Sequence, residues 1–167
     1  MNYNLKLRAV EPEDARKMFE AESDPDAWRY SDYIAPLSME QLNRYALTYD
    51  ADPFGAGQLR LILEADGETA GIIDLFDISA RHLRADTGIY IFPHFRGKGI
   101  GTNALRLLIE YCRDRLALHQ LTATVSELND GAMRCYSKAG FIKSGSRPDW
   151  LRNSKGYENA DILHVVL

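Results

Sequence analysis

Residues 85–102 read ADTGIYIFPHFRGKGIGT and form the most informative stretch of the chain. Ala85 to Phe92 has the composition of a strand. A turn with glycines at three alternating positions follows, and a helix with an apolar stripe runs from about Gly99 to Arg115. A strand that passes through glycines directly into a helix predicts a site where backbone N–H groups face an anion.

The glycine turn has the properties of a pyrophosphate-binding site. Glycine has no Cβ, so the backbone can approach an anion closely at Gly97, Gly99 and Gly101. The first turn of the following helix adds unpaired N–H groups and a partial positive charge of about half a unit. Three side chains beside the turn are further candidates for the site: Arg96, Lys98 and Thr102.

Other interpretations of the turn stay open from the glycines alone. It could be a tight strand-to-helix connection without a ligand. A dinucleotide-binding turn requires G-x-G-x-x-G, but the sixth position from Gly97 is Thr102, and no acidic residue closes the next strand. A P-loop requires G-K-[ST] after four spacer residues, and the turn lacks this motif.

A second motif about thirty residues downstream narrows these alternatives. The register R-x-x-G-x-G from Arg96 to Gly101 is followed by N-x-x-A-x-x-x-Y-x-K-x-G-F from Asn129 to Phe141. Together the two motifs resemble the acetyl-CoA motifs of the GNAT acetyltransferase superfamily. Details elsewhere in the chain are most similar to the spermidine acetyltransferases, and next to the ribosomal-protein N-terminal acetyltransferases.

The resemblance implies where acetyl-CoA binds as cosubstrate. In this family the cofactor lies in a splay between two parallel central strands, with the entering strand along the pantetheine and the glycine turn at the pyrophosphate. Asn129 is implied as a further CoA contact, and it also suits the N-cap of a helix. The implied contacts are Ile91, Phe92, Pro93, Arg96, Gly97, Lys98, Gly99, Ile100, Gly101, Thr102 and Asn129.

Two residues are catalytic candidates. Acetyl transfer to a protonated amine needs a base, and the departing thiolate benefits from an acid. The resemblance implies that Tyr136 protonates the CoA thiolate, whereas the alternative is a core tyrosine on an amphipathic helix. Asp86 lies on the strand where family members often carry a glutamate that acts through water. The alternative for Asp86 is an ion pair with Arg84 or Arg81.

The element pattern predicts an α/β fold with a single domain over residues 1–167. Asp66-Gly67 between two apolar runs predicts a hairpin. Ser38 with Gln41 predicts a capping box, and Gly140 predicts a helix end. The predicted order is β-α-α-β-β-β-α-β-α-β-β. With the resemblance, this implies a GNAT-like domain with a mixed, mostly antiparallel sheet flanked by helices.

Composition argues against several classes of partner. The net charge of −4 disfavours a general nucleic-acid binder. The two cysteines lie far apart and the histidines are scattered, so neither a disulfide scaffold nor a metal site is predicted. The first residues are polar, and no apolar run approaches the ~18 residues of a membrane span. The sequence therefore predicts a cytoplasmic protein that binds neither membrane nor metal.

Residues 11–52 form an acidic segment, with eleven acids and four bases, while the rest of the chain is net positive. In the resembled family this segment usually covers the acceptor side of the cleft. Carboxylates and aromatic ring faces suit an alkylammonium chain. The same charges would also serve as a plain solvated face. The aromatic residues of the segment are Trp28, Tyr30, Tyr33, Tyr45 and Tyr49.

The sequence as a whole predicts an N-acetyltransferase that moves an acetyl group from acetyl-CoA to a primary amine, with a polyamine such as spermidine as one candidate acceptor. The alternatives are a protein N-terminal acetyltransferase of the ribosomal-protein type, which acts on a peptide amine, and a non-catalytic CoA-binding sensor domain. An NAD-type oxidoreductase is disfavoured by the register of the glycine turn. Since the family often pairs subunits through its sheets, a homo-oligomer is a further possibility.

Overall fold

The computed structural model describes residues 3–31, 34–50 and 52–167. Its strands form one seven-stranded sheet in the order β1-β2-β3-β4-β5-β7-β6. Only the β4–β5 pair is parallel, so the predicted mixed, mostly antiparallel sheet is confirmed. The strands are β1 (Leu5–Ala9), β2 (Leu59–Ala65), β3 (Glu68–Ser79), β4 (Arg84–Ile91), β5 (Gln120–Ser126), β6 (Ile142–Asn153) and β7 (Gly156–Val166).

Helices cover both faces of the sheet. They are α1 (Ala15–Glu22), α2 (Pro25–Trp28), α3 (Met39–Leu47), α4 (Pro53–Ala56), α5 (Ile100–Asp114) and α6 (Asp130–Ala139). Ile91 of β4 lies against the α5–α6 contact, where a Cβ on Gly101 would be 3.5 Å from the Ile91 Cγ1 atom. The neighbouring Tyr90 reaches Asp24 between α1 and α2. Because successive strand residues point to opposite faces, α5–α6 and α1–α2 lie on opposite sides.

The turn and cap signals of the sequence act as predicted. Asp66 and Gly67 both have positive φ, 53° and 85°, as a two-residue hairpin turn requires. Ser38 caps α3 in a capping box with Gln41. Gly140 ends α6 in the left-handed region, with φ 107°. These local signals fix where elements begin and end.

Two features differ from the sequence-based prediction. The apolar residues at 141–142 and the run 161–166 predict two short final strands, whereas the observed strands are 12 and 11 residues long. β6 is an edge strand with many exposed residues, so polarity rather than apolar alternation dominates its sequence. The sequence pattern does not predict the short helices α2 and α4, although each begins at the proline of an Asp-Pro pair whose aspartate caps the helix.

Candidate active site

The two central parallel strands separate along their length. β4 and β5 pair only from Arg84–Asp86 to 120–122. Beyond this point β4 continues to pair with β3 as far as Ile91, and β5 continues to pair with β7 as far as Ser126. A V-shaped gap therefore opens between the second halves of β4 and β5. This is the predicted splay, and its apex lies at Asp86.

The glycine turn lies where β4 leads into α5, next to the open end of the gap. Gly97 and Gly99 have φ of 74° and 78°, and among the described residues no atom beyond their own chain neighbours lies within 4 Å of a Cβ built on either one. Gly99 is the N-cap of α5 and offers no side-chain cap to the first turn. By contrast, the N-terminal N–H groups of four other helices are capped by side chains, namely Asp24, Ser38, Asp52 and Asn129.

These features fit a pyrophosphate. The backbone is open toward the site, and the uncapped N–H groups of a 15-residue helix supply donors and a positive dipole end. Lys98 is exposed beside the turn, and its Nζ atom lies 6.0 Å from the Tyr3 ring and 5.9 Å from the Phe95 ring. The Thr102 hydroxyl contacts the Cys135 sulfur at 3.7 Å. Ile100 is buried beneath the turn.

The Arg96 side chain is directed away from the helix N-terminus. Its Nε atom donates to the Ile91 carbonyl at 2.8 Å, and its Nη2 atom donates to Asp24 at 3.1 Å. Asp24 also accepts a hydrogen bond from the Tyr90 hydroxyl at 2.8 Å. Within the described residues, no hydrogen bond from Lys98 is seen, so Lys98 and the backbone N–H groups are available as donors at the turn. Arg96 connects the glycine turn to the segment between α1 and α2.

The end of β4 presents backbone groups to the gap. The Phe92 N–H donates to the Ala70 carbonyl at 3.0 Å, on the side of β3. Since alternate N–H groups of an extended strand point to opposite edges, those of Ile91 and Ile89 point toward the gap. Ile89 is an addition to the predicted residues. Pro93 follows as the first residue of a short 3₁₀ turn, Pro93–Phe95.

Asn129 lies three residues beyond the end of β5, at the start of α6. Its side-chain oxygen accepts from the Ala132 N–H at 3.1 Å, so the N-cap interpretation is correct. Within the described residues, no hydrogen bond is seen from its amide nitrogen. That nitrogen is the part of Asn129 left for a CoA contact, so the two roles are compatible.

Tyr136 reaches the apex of the gap from the α6 side. Its hydroxyl donates to the Thr87 carbonyl at 3.2 Å, and its ring packs edge-on against Phe141. The residue is only 3% exposed. Burial raises the pKa of its phenol, which keeps the proton on the oxygen at neutral pH. A neutral phenol at this position can donate a proton.

Asp86 lies at the same apex on the opposite face. Its carboxylate accepts a hydrogen bond from the Thr122 hydroxyl of β5. Asp86 shares its face with Tyr90, and therefore with the α1–α2 segment, because the two are four residues apart on one strand. No ion pair with Arg81 or Arg84 is seen in the described part of the chain. The two catalytic candidates thus flank Thr87 from the two faces of the sheet.

The matched family establishes what kind of enzyme this is. Residues 4–142 match the model of the acetyltransferase (GNAT) domain. The chain belongs to the GNAT acetyltransferases. It is therefore an acetyl-CoA-dependent N-acetyltransferase, and acetyl transfer to an amine is its reaction. The oxidoreductase and non-catalytic sensor alternatives do not apply.

Two named proteins are similar in sequence to this chain over most of its length. The spermidine N(1)-acetyltransferase of Escherichia coli strain K12 is 32% identical over 146 residues, which cover 86% of this chain and 75% of that protein. The putative ribosomal N-acetyltransferase YdaF of Bacillus subtilis is 28% identical over 166 residues, covering 90% and 85%. Both kinds of relative match the resemblance noted from the motifs.

Solved structures show the same fold. The Vibrio cholerae spermidine N-acetyltransferase in complex with CoA and spermine has a TM-score of 0.85 at 22% identity, covering 97% of this chain and 95% of that one. A dodecameric structure of the same enzyme has a TM-score of 0.81 at 23% identity, covering 97% and 93%. The predicted fold class is thereby confirmed.

Two kinds of feature are absent from the described residues. No helix among them is long and apolar enough to cross a membrane. No group of three or more His, Cys, Asp or Glu side chains in the described ranges could hold a metal ion.

Proposed function

We propose that this enzyme acetylates a primary amine of a polyamine such as spermidine. The observation that carries the proposal is the 32% identity, over 86% of the chain, to the spermidine N(1)-acetyltransferase of E. coli. The arrangement around the gap is compatible with it. The face opposite α5–α6 carries carboxylates at Asp24, Asp86 and Glu158, which suit an acceptor with several positive charges.

In the proposed mechanism acetyl-CoA supplies the acetyl thioester. The N–H groups from Gly97 to Thr102 bind its pyrophosphate, and those facing the gap from β4 bind its pantetheine. Asp86 accepts the proton of the acceptor amine from the α1–α2 face, directly or through water. Tyr136 gives its proton to the sulfur from the α6 face. Burial raises its pKa, so the phenol stays protonated until the sulfur departs.

A peptide N-terminus is the second candidate acceptor, because the YdaF protein is 28% identical over 90% of this chain. The deciding experiment measures release of free CoA thiol with spermidine, a short basic peptide and n-butylamine at equal concentrations. We expect the highest kcat/KM with spermidine. A higher value with the peptide would overturn the polyamine assignment in favour of the N-terminal one.

We also propose that residues 1–167 act as one domain and assemble with further copies of the chain, as the dodecameric V. cholerae relative does. Light scattering coupled to gel filtration measures the molar mass directly. A mass near the 18.9 kDa of one chain would argue against assembly.

A further inference from the structure

One buried carboxylate lies outside the catalytic pair. The Glu158 side chain on β7 is only 5% exposed. It accepts hydrogen bonds from the Ser126 hydroxyl at the end of β5 and from the Asn153 amide at 2.6 Å. Ser126 is held in place in turn, since its oxygen accepts from the Leu128 N–H at 3.1 Å. These neutral donors orient the carboxylate without cancelling its charge.

Glu158 lies on the face of the sheet opposite α5–α6, which is the face proposed for the amine acceptor. Thr122, which contacts Asp86, shares one face of β5 with Ser126, because side chains alternate along a strand. Ser126 pairs with Ala160, two residues from Glu158, so Glu158 is on this face too. Ser126 is four residues beyond Thr122, or roughly 13 Å along the strand. Glu158 therefore lies at the open end of the gap, well away from its apex.

The cation beside Glu158 is loosely held. Arg29, just after α2, approaches the carboxylate at 3.4 Å with its side chain 47% exposed. The pKa of Glu158 is lowered mainly by the Ser126 hydrogen bond, and the charge of Arg29 is the smallest of the causes. Arg29 also lies over the Tyr30 ring at 5.3 Å. Its guanidinium therefore has a second contact besides the carboxylate.

A second ion pair on β7 provides a comparison. Asp161 is also buried, and exposed Lys143 of β6 contacts it at 2.7 Å. Three residues separate Asp161 from Glu158, so it lies on the other face. The two pairs share a buried carboxylate and an exposed cation, but only the Glu158 pair is long and faces the acceptor side.

We propose that Glu158 binds the second, non-reacting ammonium group of the amine acceptor, and that Arg29 occupies this position until the acceptor displaces it. The inference rests on the proposed polyamine function. The other partners of this buried carboxylate are neutral. It is therefore stabilised most by a cation that loses its water and forms a direct, charge-assisted hydrogen bond with it. The distance from the apex leaves space for the alkyl chain between the reacting amine and the second one.

The two members of the ion pair have opposite expected effects on acceptor binding. Glu158→Gln keeps the shape and hydrogen-bonding capacity of the side chain but removes its charge. We expect the KM for spermidine to rise at least tenfold. The ratio of kcat/KM for spermidine to that for n-butylamine should fall by a similar factor, because n-butylamine has no second ammonium group. Arg29→Gln should leave the KM for spermidine unchanged or lower it, because a competing cation is removed.

The matched controls are Asp161→Asn and Lys143→Gln, which should leave the spermidine-to-butylamine ratio within twofold of the wild type. If the ion pair only held the fold together, Glu158→Gln and Arg29→Gln would act alike on both acceptors. An unchanged ratio in Glu158→Gln, or a KM for spermidine raised by Arg29→Gln, overturns the inference. If thermal unfolding shows that Glu158→Gln does not fold, the KM of Arg29→Gln for spermidine alone decides the inference.

Failure of the proposed function gives a different result. If the wild type does not acetylate spermidine, the polyamine assignment is wrong. Calorimetric titration of spermidine into the CoA-loaded protein then tests Glu158 separately. Binding at least tenfold weaker in Glu158→Gln than in the wild type supports the inference, and equal binding or no binding to the wild type overturns it.

Discussion

Tyr136 and Asp86 meet the same piece of backbone from opposite faces of the sheet. The phenol contacts the Thr87 carbonyl, and the carboxylate precedes Thr87 where β4 and β5 separate. In the proposed mechanism, a base on one side of the gap and an acid on the other serve the two proton transfers, one from the amine and one to the thiolate. This assignment is the part of the site that single substitutions test most directly.

Tyr136→Phe should lower kcat by about 10²-fold with little change in acetyl-CoA affinity. The ring stays, so the edge-on contact with Phe141 is retained. Losing the hydrogen bond to Thr87 should cost only about 1 kcal/mol of unfolding free energy. The measurements are steady-state CoA release and calorimetric titration with acetyl-CoA.

Tyr111→Phe is the matched control for this prediction. Tyr111 is a half-buried tyrosine on α5, outside the gap, and burial raises the pKa of its phenol as well. Its kcat should equal that of the wild type. A wild-type kcat in Tyr136→Phe would mean that the tyrosine only fills the core.

Motifs identify residues whose function depends on local spacing. Tyr136 and Asn129 were predictable because both lie on one short helix and its cap. The contact between Arg96 and Asp24 was not, since 72 positions separate the two residues. Glu158 carries no sequence signal either, because a glutamate on an alternating strand usually faces solvent. Only the register of β5 against β7 brings it to Ser126.

At the scale of elements, α5 begins at a glycine turn that gives it no side-chain cap. Gly99 is the N-cap and has φ 78°, where an ordinary side chain is strained. Gly99→Val would therefore disturb the backbone as well as the site. Asparagine tolerates this region, so Gly99→Asn adds a side chain with less strain.

We expect Gly99→Asn to weaken acetyl-CoA binding at least tenfold, because its side chain enters the open space that we assign to the pyrophosphate. Gly57→Asn is the control: the φ of Gly57 is 68°, and a Cβ there likewise meets no atom of the described residues within 4 Å beyond its own chain neighbours. It should bind acetyl-CoA normally. Calorimetry on both folded variants makes the comparison, and equal affinities would refute the pyrophosphate assignment.

Element boundaries were predictable wherever a turn or cap has a chemical signature. The hairpin at Asp66-Gly67, the start of α3 and the end of α6 all follow from such signatures. The length of β6 did not, because an edge strand with exposed residues has no apolar alternation to mark it. The splay has no local sequence signal either, because it arises where β4 pairs only with β3 and β5 pairs only with β7.

At the scale of the molecule, buried carboxylates hold distant segments together. Hydrogen bonds from Ser126 and Lys143 lower the pKa values of Glu158 and Asp161. Burial would raise the pKa of Asp14, but hydrogen bonds from Arg8 and the Glu11 N–H outweigh it and the pKa falls. A lowered folded pKa means that the unfolded chain takes up protons first on acidification. The stabilisation is present above the ordinary carboxyl pKa and is lost as the pH falls through the lowered one.

We therefore expect the midpoint of thermal unfolding to fall steeply below about pH 4. Each additional proton bound by the unfolded state reduces the free energy of unfolding by about 1.4 kcal/mol per pH unit. Circular dichroism at pH 7, 5, 4 and 3 measures the effect. Asp161→Asn removes one such group, so its midpoint should depend less on pH. A midpoint that is the same at pH 5 and pH 3 would contradict the prediction.

The acidic segment, residues 11–52, is less exposed to solution than its composition indicates. Several of its carboxylates form ion pairs with arginines of the sheet and of the glycine turn: Asp14 with Arg8, Glu22 with Arg60, and Asp24 with Arg96. Tyr45 and Tyr49 pack around Arg60 rather than toward an acceptor. Asp32 and Tyr33 lie outside the described residues. Exposed acids such as Glu13 and Asp26 still give the surface of the segment a negative electrostatic potential.

The negative potential of these exposed acids should still attract a polycation, but weakly. We expect kcat/KM for spermidine to fall roughly threefold between 50 and 500 mM salt, because screening shortens the reach of exposed charges. The value for n-butylamine should change less, since it carries one charge. Contact with Glu158 should persist at high salt, because a desolvated pair is screened little. Steady-state kinetics at several salt concentrations separate the two contributions. An equal response of both acceptors would mean that the acidic segment is only a solvated face.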